Sequence, residues 1–311
     1  MAIDISIIIV NWNVKDMLAD CLRSLEAYHG RYKIEIIVVD SASQDNSVTM
    51  LREQFPDVVT LAQSDNVGFV GGNNIGFEAA KGRYHFLLNP DTVVHPHAIA
   101  TLIEYLEQHP NVGIVAPHTL NTDGTHQSTR RRFPTLFTGM IEASPWQQWL
   151  PDSLFNRFYM RDTGDESILE VDWAQGSALL ARKDVYEQIG GLDPTFTMFS
   201  EEVDWCKRSK NGGWEIVYVG NAFITHHGGG STVQVNNRKH IHFQQSKFRY
   251  FRKHHGWLAA QVVRASVIMG YLVDMGIEGA KLLLKHKPEL RQDRIQAYRT
   301  IVKHLISGQD P

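Results

Sequence analysis

The sequence predicts an α/β fold in which a parallel sheet is covered by helices on both faces. Three observations carry that prediction. Continuous apolar runs at residues 5–10, 34–39 and 84–88 read as strands buried on both sides. Helical periodicities lie between them, over 14–28, 47–54 and 73–81, with a further short strand near 58–62. Two of the buried runs lead straight into carboxylate motifs, Asp40 after the second and Asn89-Pro90-Asp91 after the third. In open sheets of this kind ligands bind outside the carboxyl ends of the strands, near a switch in strand order. Asp40 and Asp91 are therefore expected to face one crevice.

From about Asn111 the rhythm loosens. A strand-like stretch at 113–117 meets a polar turn at 121–124, followed by the basic run Arg130-Arg131-Arg132. Residues 133–170 hold prolines, aromatics and acids without a clear period, as expected of a lid or an acceptor loop. Regularity returns at 172–181, in helix-like stretches at 183–189 and 201–210, and in a strand at 215–219 that leads to a glycine-rich turn. Beyond Arg238 the chain reads as helical except around Pro288. Residues 257–273 are the most apolar stretch, but Arg264 interrupts it, and Asp274, Glu278, Lys281, Lys285, His286 and Lys287 follow. A spanning helix wants about twenty apolar residues with few charges. The stretch is thus expected to pack on the rest of the protein or on a partner in a homodimer, or to lie on a membrane surface with its lysines near headgroups.

Bulk properties narrow the class. A chain of 311 residues can bury a sizeable core as one large domain or two small ones. A net charge of −3 argues against nucleic acid as a partner. Cys21 and Cys206 are far apart and lack metal-type spacing, which argues against a disulfide scaffold and fits a reducing cytosol. The opening MAIDISIIIVNWN has no basic n-region and no cleavage site, so it reads as a first strand and the expected location is cytoplasmic.

Four polar constellations carry the chemistry. Asp40, in VVDSASQDNS, can accept from a pyrimidine N–H or ribose hydroxyls, or it can cap the following turn. Asp91, in LLNPDTVV, offers a hard oxygen ligand on a turn restrained by Pro90, the kind of ligand that a divalent cation shares with phosphate oxygens. Glu201, Glu202 and Asp204, in FSEEVDWCKR, crowd three carboxylates together. Their mutual repulsion favours one of them as a proton acceptor, while the helix dipole also favours acids at a helix start. The flanking Phe199, Val203 and Trp205 argue that this helix start is partly buried. In THHGGGST, an imidazole can complete a metal shell and the glycines let backbone approach phosphate.

With these in place the chain resembles the family 2 inverting glycosyltransferases, most closely their rhamnosyltransferase-type branch. The resemblance spans residues 5–250 through an ordered set of motifs: IIIVNWN, VVDSASQDNS, NVGFVGGNNIGFEAAKGRYHFLLNPD, RRFPT, WAQGSALLARKDVYEQIGGLD, FSEEVDWCKR and HHGGGST. It implies a GT-A fold, a Rossmann-like sheet with a nucleotide-sugar-binding half (1–110), an acceptor-binding and catalytic half (111–250) and a helical C-terminal extension (251–311). It also implies a Mg²⁺ or Mn²⁺ ion and single displacement with inversion. Carried over residue by residue, Asp40 holds the base and Asp91 binds the metal. Asn89 stands at the first position of that motif, where most of the family has Asp. Asn66, Gly68 and Asn74 line the donor pocket, Gly176 sits beside the donor sugar, and His226 contacts metal or diphosphate. Glu202 takes the place of the family's second acid as general base, with Glu201 and Asp204 as alternatives.

The implied partners are a nucleoside-diphosphate sugar, dTDP-rhamnose first and a UDP-hexose second, and a glycan or lipid-linked glycan acceptor in cell-surface polysaccharide synthesis. Arg130–Arg132 either meet a phosphate or form a solvated loop. Of two rival readings, a nucleotidyltransferase would want a glycine-rich basic loop where NWNVKDML stands. A non-catalytic sugar-nucleotide-binding protein would have no need of the acidic cluster.

Overall fold

A computed structural model describes residues 2–28, 30–228, 236–285 and 287–307, and of 236–239 the backbone alone. Two compact units divide the chain. The first comprises Met1–Phe133, Tyr159–Pro194 and Glu201–Val233, and the second Pro134–Phe158, Thr195–Ser200 and Gln234–Pro311.

The first unit opens with β1 (Ile5–Asn11), α1 (Lys15–Glu26), β2 (Ile34–Asp40), α2 (Ser47–Gln54), β3 (Val59–Ala62), α3 (Gly68–Ala79) and β4 (Tyr84–Leu88). Strands β3, β2, β1 and β4 lie side by side in that order and all run parallel. The chain thus leaves β1 on one side and returns on the other, so the switch in strand order falls between β1 and β4. Along β1, side chains alternate between the two faces of the sheet. Ile5, Ile7 and Ile9 join a core with Leu18, Cys21 and Leu22 of α1, while Ile8 and Val10 lie under α3.

Helix α3 starts at Gly68, five residues before the periodicity becomes readable. A Cβ on Gly76 would sit 2.2 Å from Ile8 Cγ2, and one on Gly72 would sit 2.6 Å from Val10 Cγ1. The glycine-rich stretch that resembles a loop is in fact the contact face of a helix laid tightly on β1.

The sheet continues with β5 (Thr92–Val94), β6 (Val112–Leu120), β8 (Ile168–Glu170), β10 (Ala178–Arg182) and β11 (Glu215–His226), in the order β4-β10-β6-β11-β5, with β8 also on β11. This half is mixed: β10 is antiparallel to both neighbours, β5 and β8 are antiparallel to β11, and only β6 and β11 pair in parallel. The sheet is therefore rich in parallel strands without being wholly parallel. A separate ribbon pairs β7 (Arg130–Arg131) with β9 (Trp173–Ala174). Helices α4 (Ala98–Gln108), α7 (Lys183–Ile189) and α8 (Glu201–Asn211) complete the unit. Helix α4 falls where no element is read above, yet its buried Ala98, Ile99, Leu102, Ile103 and Leu106 follow the helical period.

Strand β11 runs well past residue 219, where the sequence reads a turn. Its register shifts between Val219 and Phe223, and pairing resumes at Phe223. At Gly220 a Cβ would lie 2.3 Å from the backbone of Glu166, so glycine marks a bulge under a passing chain, not the end of the strand. The consequence is that His226 becomes the last strand residue, in register with Thr92.

In the second unit, α5 (Leu136–Ile141) and two 3₁₀ turns (Pro145–Trp149, Asp152–Phe155) pack with α9 (Asn236–His255), α10 (Trp257–Leu283) and α11 (Pro288–Ser307); a one-turn α6 (Asn156–Tyr159) stands where the chain passes between units. Trp146 donates from its indole to the Ser266 carbonyl at 2.8 Å. A buried Glu278–Arg291 pair at 2.7 Å clamps α10 to α11. Lys247, wholly buried, donates to the Glu142 carbonyl, and burial lowers its pKa to about 8.

The close approach of α3 to β1 predicts that Gly76→Ala costs about 1–3 kcal/mol through overpacking. Gly279, in α10, has open space at its Cβ position, so Gly279→Ala is expected to stabilise by about 0.5–1 kcal/mol. Urea unfolding of the two variants reads both signs. An unchanged midpoint for Gly76→Ala would contradict the packing described.

Candidate active site

The candidate site is assembled from strand ends of the first unit. Asn11 and Asp40 are neighbours in register at the ends of β1 and β2. The Asn11 amide donates to Asp40 Oδ2 at 2.8 Å, and the Ser43 N–H donates to Oδ1 at 2.9 Å. Asp40 is thus buried and shapes the loop that follows β2. Asn66 Oδ1 accepts from Ser41 Oγ and from the Gly68 N–H, each at 2.9 Å, which fixes the start of α3 beside that loop. Gly68 has φ +68°, a conformation that favours glycine. Asn74 uses both ends of its amide on the Leu192 backbone, at 2.8 Å each, and so ties α3 to the segment after α7.

Pro90 cannot extend the ladder of β4, and the turn it makes is held by Thr92 Oγ1 donating to the Asn89 carbonyl at 2.7 Å. The Asn89 N–H donates to the Ser177 carbonyl at 2.9 Å, and the His227 N–H donates to the Asp91 carbonyl at 2.9 Å. The motif is therefore bracketed by the 175–177 turn and the end of β11. Across it, His226 Nε2 lies 3.3 Å from Asp91 Oδ1, and both side chains are nearly buried. Gly229–Thr232, the remainder of the histidine–glycine motif, lie outside the described residues.

Gln127, a residue without any local signal in the sequence, presents an acceptor to Nδ1 of that imidazole. The hydrogen bonds have a direction that starts from Asp123, whose carboxylate only accepts. Thr125 Oγ1 donates to it at 2.6 Å, Asn121 Nδ2 donates to Thr125 Oγ1 at 2.9 Å, and Gln127 Nε2 donates to Asn121 Oδ1 at 3.0 Å. Gln127 Oε1 is then the acceptor for His226 Nδ1–H at 2.8 Å. The neutral ring consequently carries its lone pair on Nε2, facing a carboxylate, with the Asn89 amide reaching Nε2 at 3.4 Å. Such a pair invites a cation. Two ligands at about 2.1 Å on adjacent octahedral positions stand about 3.0 Å apart, close to the observed separation, and the acceptor on Nδ1 is the usual outer support of a metal-binding histidine.

On the other side of the turn, a Cβ at Gly176 would lie 3.5 Å from Glu202 Cβ, so glycine here leaves room in front of Glu202. Helix α8 is anchored by Trp205, which is wholly buried, donates to the Gly190 carbonyl at 3.0 Å and lies against Phe77. Its three acids have different surroundings. Asp204 is fully buried and held by Arg208 at 2.8 Å, and the same guanidinium also binds the carbonyls of Ile189 and Gly191. Glu201 is buried, and desolvation, followed by the neighbouring Glu202 charge, holds its carboxyl well above the usual range. Glu202 is half-buried and faces Gly176. Two consecutive residues just before α8, Phe199 and Ser200, adopt left-handed backbone (φ 67° and 63°), a costly conformation typical of functional segments. Ser177 Oγ and Glu201 Oε2 are buried polar atoms without a hydrogen-bond partner.

One expectation changes. Arg130 is neither a phosphate ligand nor solvated: it is buried over the Tyr218 ring at 4.9 Å and paired with Asp165 at 3.0 Å. Arg131 stacks on Tyr159 at 4.5 Å, and Arg132 pairs with Asp172 at 3.6 Å. Both cysteines are buried free thiols whose pKa burial pushes up to about 12, which makes them chemically inert.

Comparison with known proteins agrees with this architecture. The family profile described as "Glycosyl transferase family 2" matches residues 6–206. The chain belongs to that family and is a glycosyltransferase with a GT-A fold. It is similar to the N-acetylglucosaminyl-diphospho-decaprenol L-rhamnosyltransferase of Mycobacterium tuberculosis, 26% identical over 73% of this chain and 78% of that protein. It is also similar to the rhamnosyltransferase WbbL of Escherichia coli, 25% identical over 79% and 92%. Among solved structures, a mannosyltransferase from Pyrobaculum calidifontis in complex with GDP-mannose and Mn²⁺ shares the fold with TM-score 0.60 at 15% identity, over 98% of this chain and 86% of that one.

The state of Glu201 makes a testable link to stability. A carboxyl whose folded pKa is raised binds more protons folded than unfolded, so its stabilising share is full below about pH 4.5 and is lost as pH rises through the folded value. Glu201→Gln removes that loss. The variant is expected to match wild type in urea unfolding at pH 4.5 and to exceed it by about 1–3 kcal/mol at pH 8.

Proposed function

We propose that the chain transfers rhamnose from dTDP-rhamnose to a glycan or lipid-linked glycan acceptor in cell-envelope polysaccharide synthesis, on the cytoplasmic side of the membrane. The observation that carries the reading is the Asp91 carboxylate facing His226 Nε2 at 3.3 Å, on a turn whose Asn89 N–H is bonded to the Ser177 carbonyl beside Gly176. In this reading Asp91 and His226 would hold a Mg²⁺ or Mn²⁺ ion. When bound, the cation neutralises the charge that develops on the departing nucleoside diphosphate. Asp40, Asn66, Gly68, Asn74 and Asn89 form the walls against which base, ribose and diphosphate rest, and Gly176 leaves space for the sugar.

Glu202 is the base. Asp204 is paired with Arg208 and burial raises the Glu201 carboxyl well above the usual range, whereas Glu202 faces Gly176, which supports Glu202 as the proton acceptor. It takes the proton of the acceptor hydroxyl as that oxygen bonds to the anomeric carbon. The bond from the anomeric carbon to the phosphate oxygen breaks on the opposite face, and its electron pair leaves with the nucleotide. Inversion follows from that geometry, through an oxocarbenium-like transition state. The rhamnosyltransferase relatives support the donor sugar. A UDP-hexose donor is the second reading.

Calorimetric titration with dTDP-rhamnose, UDP-glucose and UDP-galactose, with and without Mn²⁺, tests the assignment. Binding of dTDP-rhamnose is expected to need the metal and to vanish in Asp91→Ala. Glu202→Gln is expected to keep donor affinity while transfer falls by about 10²–10⁴-fold. Folded protein that binds none of the three donors would overturn the reading in favour of a non-catalytic role, and binding of a UDP-hexose alone would replace the donor.

A further inference from the structure

Helix α10 has an inverted surface. Its exposed positions are apolar; Arg264 and Asp274 are half-buried, Glu278 is buried, and Lys281, in the last turn, keeps 44% of its side chain exposed. Leu258, Val262, Met269, Leu272, Val273 and Leu283, with the exposed Ala265, Gly276 and Ala280 between them, follow the three- and four-residue spacing of one helix face, so they form one stripe along a helix about 40 Å long. The opposite face is already in use. Ala260, Val263, Val267 and Tyr271 are buried in the second unit, Asp274 meets the Gln148 amide, and Glu278 is clamped by Arg291. Although α10 is long and apolar enough to cross a membrane, crossing would strip that packed, ion-paired face, which leaves only an in-plane orientation.

Charge identifies what covers the stripe. Helix α9 delivers Arg252 and Lys253 just before Trp257, which is 63% exposed. At the far end Leu283 and Leu284, 86% and 81% exposed, run into Lys285 and Lys287. Both ends of the stripe are basic, so a second copy would set like charges against each other whether it lay parallel or antiparallel. Coiled-coil seams also carry charged flanks that specify the partner, whereas here the flanks are uncharged, Gln261, Ile268, Met275 and Leu282 on one side and Ala259 and Ser266 on the other. Alongside, α10 and α11 enclose a groove of about 440 Å³ between Leu272, Met275, Val302 and Ile306, with Arg299 and Lys303 as its cations. Apolar walls next to fixed cations suit an acyl chain and its phosphate.

We propose that α10 lies in the plane of an anionic phospholipid surface, stripe inward, with the lysines and arginines at its ends and beside the groove on the headgroups. Binding of this kind sums buried apolar area and attraction to anionic lipid. It stands on the second unit alone and does not depend on the donor assignment.

The test is co-sedimentation of the full chain with vesicles of phosphatidylcholine alone and of phosphatidylcholine mixed with phosphatidylglycerol. Wild type is expected to sediment with the anionic vesicles. Met269→Glu/Leu272→Glu, at exposed positions, should lower partitioning at least tenfold while circular dichroism and donor titration stay unchanged. Lys285→Gln/Lys287→Gln should lower anionic binding by about fivefold per lysine and leave binding to phosphatidylcholine as it was. Wild type that stays in the supernatant with both vesicles overturns the proposal. So does a dimer in sedimentation velocity that Met269→Glu/Leu272→Glu disperses without any vesicle binding, which would assign the stripe to a second copy.

Discussion

The first unit holds the Asp91 carboxylate and His226 Nε2 3.3 Å apart in a nearly buried place, a contact that a proton or a bound cation between them makes favourable. That constraint organises much of what surrounds it. Asp91 stands where it does because β4 ends at Leu88 and Pro90 stops the ladder. His226 stands where it does because β11 survives a bulge at Gly220 and pairs with β5 as far as Thr92. The backbone bond from the His227 N–H to the Asp91 carbonyl locks the two segments together, and the Asp123–Thr125–Asn121–Gln127 series sets the tautomer. A bound cation would make the two groups a ligand pair, as proposed above. In a low-dielectric site such an arrangement acts without reorganising during the reaction.

The acidic helix solves a related problem. Three carboxylates at one helix start cannot all stay charged and buried. Here the protein separates them by environment: Arg208 compensates Asp204, burial raises the Glu201 carboxyl well above the usual range, and Glu202 faces the space that Gly176 leaves open. The anchor of this arrangement is apolar, since Trp205 and Cys206 are wholly buried and hold the helix in place. Environments that push neighbouring carboxyls apart are how one fold assigns proton-transfer roles, which is why the proposed base is the least buried of the three.

How much of this was legible in the sequence depended on whether the controlling force was local. Strands β1, β2 and β4 and helix α2 announce themselves because doubly covered strands are continuous apolar runs and α2 is bounded by turn chemistry. Asp40, Asp91 and the acids of α8 follow, since a strand end or a helix start places them. The glycines of α3 mislead, because Gly72 and Gly76 serve a contact with Val10 and Ile8 that only the folded sheet reveals. Gly220 misleads in the same way and hides the second half of β11. Arg130 looks like an anion ligand by its run of charge, but Tyr218 and Asp165, distant in sequence, enclose it. Gln127 was invisible for the same reason: its partner is 99 positions away. Residues whose role rests on long-range neighbours leave no periodic or motif trace.

The central claim is that His226 and Asp91 together hold a divalent cation, and electron spin-echo spectroscopy of Mn²⁺ bound to the protein with a nucleoside diphosphate addresses it most directly. The account predicts a modulation from a directly bound nitrogen that changes on ¹⁵N-histidine labelling and disappears in His226→Ala. Mn²⁺ bound with the nucleotide but without any histidine nitrogen in its shell would contradict it.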